Sequence, residues 1–399
     1  MKELLKDKNV YLFVSLLFLD NCRGIFTPSV QYYGYLIGLI IFSFCLIRER
    51  DTIIWPSYKY MFTPWIFALA YSFLLVLLGN SDLSLFTHGC SEALKISVLF
   101  ICGFAILSKY KLKALDFMFL SFSLAYLLLT ANGFYEFGLS YVVAMALNVS
   151  ETRFEWSYEG SAFDKIFEVH EFGLALPLVA LAYMWKNDSL KKKAVPVLIS
   201  LFISLLCAKR IAIAAFLVSF AIYWASRWNF IKKFTLSSGS WIYLSIIFIF
   251  ISSLYTGFFF DVLDEYEIEM NGRDYFYQFF TSKSYFGIGY LGNGLGYVFR
   301  YLSIHNPFND IMGLHNDVFR MYLELGAIGS FIFWFLTFNT NFKHHRILSE
   351  NCCYFYILSS IYCIITYFTD NTINYGLVQL ANCVIPFYMY YEDSNLRSK

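Results

Sequence analysis

The densest run of chemistry-bearing side chains lies late in the chain, at Leu314-His315-Asn316-Asp317-Val318-Phe319-Arg320-Met321-Tyr322-Leu323-Glu324-Leu325-Gly326-Ala327-Ile328-Gly329. Asn316, Arg320 and Glu324 recur every fourth residue and so share one face of a helix. An Arg and a Glu one turn apart in an apolar helix are costly in hydrocarbon unless they pair or line a cavity. Two readings stay open: a structural Arg–Glu pair, and a polar groove entering a helix bundle from outside with His315 at its mouth. Histidine is the side chain whose ordinary titration lies nearest neutrality, which suits a base or a hydrogen-bonding group. Gly326 and Gly329 would let a neighbouring helix pack closely.

Lys209 and Arg210 form a second candidate group, between two apolar runs. Adjacent cations at the start of a helix add to the positive end of its dipole, a combination that suits a phosphate. The bland alternative is an interfacial snorkelling pair. Arg273 follows Gly272 and is read as a loop residue. Gly287, Gly289, Gly292, Gly294 and Gly296 come next, but no soluble strand–turn–helix unit surrounds them, so they are not a dinucleotide fingerprint.

The elements that must position these residues are long apolar runs. Runs of about 16–22 mostly apolar residues, the length that crosses hydrocarbon, fall near 8–20, 29–47, 60–79, 92–108, 115–130, 171–185, 194–209, 210–226, 241–260, 317–338, 352–369 and 374–391. Twenty of the thirty Lys and Arg residues lie in alternate gaps between them, among them Lys191 to Lys193, Lys232 and Lys233. Short loops rich in Lys and Arg stay in the cytoplasm. The expected fold is therefore an all-α polytopic membrane protein with about twelve transmembrane helices and both termini cytoplasmic. No small-residue cleavage site follows the first run, which is expected to act as an uncleaved insertion signal. No repeat and no Pro- or Ser-rich linker is evident, so residues 1–399 read as one integral membrane domain. Two larger periplasmic loops, about 131–170 and 261–316, hold most of the acidic residues and unusual polar clusters. The apolar stretch from Gly138 to Leu147 is too short to span and reads as interfacial or re-entrant. Arg153 and Arg300 are the cations of these loops that would face a substrate, beside Lys209, Asn316, Arg320 and Glu324.

Composition narrows the function. A hydrophobic share of 58% and a charged share of 15% fit a membrane protein, and a net charge of +1 without a basic, aromatic-interleaved stretch gives no sign of a nucleic-acid partner. Nine cysteines form no CxxC and six histidines form no zinc pattern, so neither a metal nor a cofactor is expected. Cys22 and Cys90 alone reach the outer side, where a bridge could form.

Gly272-Arg273-Asp274, Tyr285-Phe286-Gly287-Ile288-Gly289, and His315-Asn316 leading to Glu324-Leu325-Gly326 and Ile328-Gly329 resemble the signature region of the O-antigen polymerase and ligase superfamily. Arg210 resembles the arginine that opens a periplasmic-side helix there, so the likeness covers about residues 205–330. The resemblance implies metal-independent glycosyl transfer at the periplasmic face of the bacterial inner membrane. Its donor is a glycan on undecaprenyl diphosphate, and a hydroxyl of the acceptor sugar attacks the anomeric carbon as the lipid diphosphate leaves. Arg210 and Arg273 would stabilise the leaving group, with Arg320 as a third candidate, and His315 would assist the hydroxyl. The run from His315 to Gly329, together with Asp370-Asn371 ahead of the last helix, resembles the polymerases more than the ligases. The polymerase adds the chain to a new lipid-linked repeat; the ligase adds it to lipid A–core. A chain-length regulator and a flippase would be partners alongside membrane lipids. A twelve-helix flippase is the reading from another class, but it would concentrate binding groups at the midplane of similar halves.

Overall fold

The computed structural model describes residues 1, 3–22, 27–47, 54–141, 170–186, 189–207, 209–226, 228–268, 270, 272–305, 314–343 and 349–397. Among these residues the chain is all-α, without a strand. Each of the twelve apolar runs overlaps a helix, but Leu83–Tyr110 and Asn229–Thr256 begin well before their runs, and the run 241–260 is broken at Gly257. Five helical segments are long and apolar enough to cross a membrane: Ser29–Leu46, Trp55–Leu77, Leu83–Phe137, Asn229–Thr256 and Asp317–Phe338. The third of these holds two helices, Leu83–Tyr110 and Ala114–Phe137.

The chain forms two compact units, each discontinuous in sequence. The first comprises Met1–Trp55, Val98–Ile222 and Tyr375–Lys399. At its centre lies the helix His170–Trp185, buried from Phe172 to Tyr183 and packed on Ala114–Phe137, Leu190–Leu206 and Gly376–Arg397. A methyl group on Gly173 would come within 2.7 Å of Cys207 Cβ, so this glycine is what lets the two helices approach; the Ser204 hydroxyl donates to the Gly173 carbonyl at the same crossing. Lys8–Asn21 packs on Pro28–Leu46 and Ala114–Phe137 through Phe13, Phe42 and Phe117. Pro28–Leu46 leaves Val30, Tyr33, Ile37, Ile41 and Phe44 exposed along one stripe while burying Leu36, Leu39 and Phe42 on the other face. A helix that is apolar on its buried and its exposed face has hydrocarbon as its matching solvent.

The second unit comprises Pro56–Ser97 and Tyr223–Asn374 and carries most of the chemistry-bearing residues. Its central helix, Asp317–Lys343, packs on Thr63–Leu77, Asn229–Thr256, Tyr297–His305 and Glu350–Tyr367. Asn229–Thr256 buries Tyr243, Ile247, Ile251 and Leu254 and exposes Phe230, Phe234, Trp241 and Ile249, the same two-faced apolar pattern. The segment expected as a larger periplasmic loop over 261–316 is about half helical where described, because it holds most of Phe258–Glu265 and all of Arg273–Lys283 and Tyr297–His305. At the other expected loop, Ala114–Phe137 continues six residues past Ala131. Residues 142–169 lie outside the described residues, Arg153 and most of the Gly138–Leu147 stretch among them. Cys22 and Cys90, considered for a bridge, are free cysteines, one in each unit.

Candidate functional site

Gly326 interrupts the central helix. Its φ of 68° and ψ of −173° are non-helical, and a side chain there would overlap the Tyr290 carbonyl oxygen and the Leu291 carbonyl carbon. The interruption frees carbonyls that the glycine-rich segment then satisfies: Asn293 N–H donates to Leu323 O (3.2 Å) and Gly294 N–H to Glu324 O (2.7 Å). Ala327 N–H donates back to Tyr290 O (2.9 Å). Gly292 has a φ of 86° and sits so close to Gly326 N and Leu325 C that only glycine fits. The glycines therefore serve a plug for a broken helix, which corrects the expectation that Gly326 lets a neighbouring helix approach. Gly329 does serve close packing, since its Cα faces the Tyr71 ring edge.

Three sequence-distant motifs meet at the turn after Tyr367. Asn316 precedes the first helical residue, Asp317, and its Oδ1 accepts from Phe319 N–H (2.8 Å), a side-chain cap that starts the helix. Its Nδ2 donates to Phe368 O (2.9 Å) and to the Tyr277 hydroxyl (3.3 Å). Arg273 Nη1 donates to Thr369 O (2.6 Å). His315 Nδ1 lies 3.3 Å from Asp370 Oδ1, whose same oxygen accepts from Asn371 N–H (2.9 Å). Residues 368, 369 and 370 are thus held by Asn316, Arg273 and His315 in turn. Burial pushes the Tyr277 phenol up to about 12, so it stays protonated and able to donate.

His315 has a φ of 49°, the left-handed region that a non-glycine residue occupies at a cost. Such strain persists where surrounding contacts hold it, here the Asn316 cap and the Asp370 carboxylate. Asp370 is 2% exposed while the His315 side chain is 32% exposed. With Nδ1–H donated to the carboxylate, Nε2 carries the lone pair, the arrangement of an oriented general base. Arg273 opens the helix Arg273–Lys283 rather than lying in a loop, with Gly272 before it in the left-handed conformation. Its single hydrogen bond among the described residues leaves guanidinium donors for an anion.

Arg320 lies one turn deeper and is 3% exposed. Its guanidinium reaches Glu92 Oε1 (3.4 Å), Asn374 Oδ1 (3.2 Å) and, from Nε, Asp317 Oδ1 (3.5 Å). Asp317 Oδ2 accepts from Ile373 N–H (2.6 Å), and Glu324 Oε1 from Val298 N–H (3.3 Å). The Arg320–Glu324 pairing read from helical spacing therefore gives way to pairing with Glu92, 228 residues away. Three carboxylates surround one guanidinium, and Glu92 Oε2, Asp317 Oδ1 and Glu324 Oε2 are buried without a hydrogen-bond partner. Arg320 is a holder of the Thr372–Asn374 turn against the helix start: its two terminal nitrogens donate to Glu92 and Asn374, while Nε has no hydrogen-bond partner.

The remaining expected site residues lie elsewhere. Arg210 opens the helix Arg210–Ala225 in the first unit and is exposed; Lys209 precedes it, half-buried. Arg300 is exposed on Tyr297–His305. Sequence reasoning missed Glu92, Asp317, Asn374 and Tyr277 as members of the site and noted Asp370 without its contact. Glu92 carried a readable signal, a carboxylate in an apolar run with His88 one turn before it, 3.8 Å away. Among the described residues no group of three or more His, Cys, Asp or Glu side chains is arranged to hold a metal. Neither a family model nor a curated protein matches this chain.

Proposed function

We propose that the chain is a glycosyltransferase of the O-antigen polymerase and ligase type, and specifically a polymerase of a surface polysaccharide. In this reading the twelve apolar helices all span the bacterial inner membrane, both termini are cytoplasmic and the His315 group faces the periplasm. The observation that carries it is the His315–Asp370 pair, tied by its own turn to Arg273. Glycosyl transfer from a lipid diphosphate needs a proton acceptor for the attacking hydroxyl and cations for the departing diphosphate. His315 Nε2 supplies the first. Arg273 supplies the second, at the head of a helix whose N–H groups add to the positive field. The resemblance alone makes Arg210 a candidate cation for a diphosphate, and Arg320 acts only by positioning the turn.

The test is a deletion strain examined for its surface glycan. Loss of a polymerase leaves the ligase working, so lipopolysaccharide should carry one repeat unit and no ladder. Bare lipid A–core with long chains left on undecaprenyl diphosphate would identify a ligase instead. Accumulation of single repeats in the inner leaflet would identify a flippase.

A further inference from the structure

The charges around Arg320 do not balance. Asp317 and Glu324 are fully buried beside it on the central helix, and Glu92 reaches in from Leu83–Tyr110, all within the second unit. Two neighbours bear on the count. His88 Nε2 lies 3.8 Å from Glu92 Oε1, yet a charged His88 would still leave three carboxylates facing two cations. Asp370 also acts on Asp317, but it is a further carboxylate with His315 as its own partner, so it adds no positive charge. At least one negative charge is therefore in excess in a buried place. An unpaired carboxylate costs far more to bury than a neutral acid does.

The three carboxyl groups are not equivalent. Asp317 has donors at both oxygens, with Ile373 N–H on Oδ2 (2.6 Å) and Arg320 Nε at 3.5 Å from Oδ1. Glu92 Oε1 lies 3.4 Å from Arg320 Nη1. Glu324 is the one with no ion pair among the described residues, and Arg320 and Glu92 act on it from farther off with opposite signs. Its Oε1 accepts from Val298 N–H (3.3 Å), a bond that the carbonyl oxygen of a neutral acid also accepts. Its Oε2 is buried without a partner, as is Glu92 Oε2. A hydrogen on Glu324 Oε2 removes the excess charge and turns an orphaned acceptor into a donor.

We infer that this cluster is a proton-binding site and that Glu324 Oε2 carries its proton at neutral pH. A neutral Glu324 leaves the Arg320 guanidinium to Glu92, Asp317 and Asn374, the contacts that hold the turn ahead of the last helix. The site rests on the charge count and the orphaned oxygens alone, so it does not depend on the glycosyl-transfer reading.

Infrared spectroscopy of the full chain in detergent at neutral pH separates the carbonyl stretch of a carboxylic acid from the bands of a carboxylate. Solvated glutamates titrate at about 4.3 and are ionised there. Wild type should nevertheless show a carboxylic-acid band, and that band should shift when the glutamate carboxyls are isotope-labelled. E324Q removes the carboxyl and its proton together and should abolish the band. E392Q, which alters the other buried glutamate among the described residues, should keep it. No such band in wild type, or its persistence in E324Q, overturns the proposal. Should E324Q fail to fold, E92Q and E392Q decide by elimination: a band kept in both supports Glu324, and one lost in either overturns it. No readout involves glycan, so failure here is distinct from failure of the polymerase reading.

Discussion

Replacing Gly326 by alanine tests the broken helix that organises the second unit. A β-carbon at a φ of 68° costs about 1–2 kcal/mol from backbone sterics alone. That carbon also overlaps the Tyr290 carbonyl oxygen and the Leu291 carbonyl carbon, which are backbone and cannot swing aside. Moving the glycine-rich segment away would lose three hydrogen bonds, from Asn293, Gly294 and Ala327 N–H, at about 1 kcal/mol each. The sum is about 4–5 kcal/mol, a large part of the stability of an ordinary domain. Gly329→Ala is the comparator: its methyl would meet the Tyr71 ring edge at 2.7 Å and Leu325 Cβ at 3.0 Å, in an ordinary helical conformation. Side chains can give where backbone cannot, so that change should cost about 1–3 kcal/mol, as overpacking usually does. The assay is denaturant or thermal unfolding of both variants in one detergent. A Gly326→Ala variant within about 1 kcal/mol of wild type, or one more stable than Gly329→Ala, would refute the reasoning.

Arg320→Met leaves the buried Asp317 and Glu324 and the half-buried Glu92 without their cation and should lower stability by about 3–5 kcal/mol. Glu324→Gln removes one of those surplus charges and should leave the melting midpoint unchanged or raise it; a fall as large as that of Arg320→Met would contradict the charge count. Reporter fusions should place Lys192 and Lys233 in the cytoplasm and Glu155 and Glu267 in the periplasm, and a periplasmic signal at Lys192 would remove the proposed topology. Arg210→Ala and Arg210→Lys should both reach the membrane at normal abundance yet lose chain growth, since a point charge does not reproduce a bidentate grip on phosphate. Full chain growth in the alanine variant would exclude Arg210 from the reaction.

The helical class was legible because long apolar runs leave little other choice, and every run overlaps a helix. The start of the central helix was legible too, since Asn is a strong cap residue and the polar face at every fourth position follows from helical geometry. What stands opposite that face was not. Glu92 and Asn374 reach Arg320 from 228 and 54 residues away, and spacing along one helix carries no trace of such partners. Leu325-Gly326-Ala327 reads as helix by composition; the interruption at Gly326 exists because a distant glycine-rich segment supplies the hydrogen bonds that make it tolerable. Asp370 was visible as a resemblance, but its service to His315 depends on a turn that Asn316 and Arg273 help to hold.

The most direct test is chain elongation by the purified protein on lipid-linked repeat units, followed for wild type, His315→Ala, Asp370→Asn and the double variant. An oriented general base contributes about 100- to 10,000-fold, so His315→Ala should lose at least about a hundredfold in turnover while still binding the lipid-linked donor. Asp370→Asn should lose less, and the double variant should be no slower than His315→Ala, because the carboxylate acts through the imidazole. Wild-type turnover in His315→Ala, or independent and multiplying losses in the two single variants, would contradict the account.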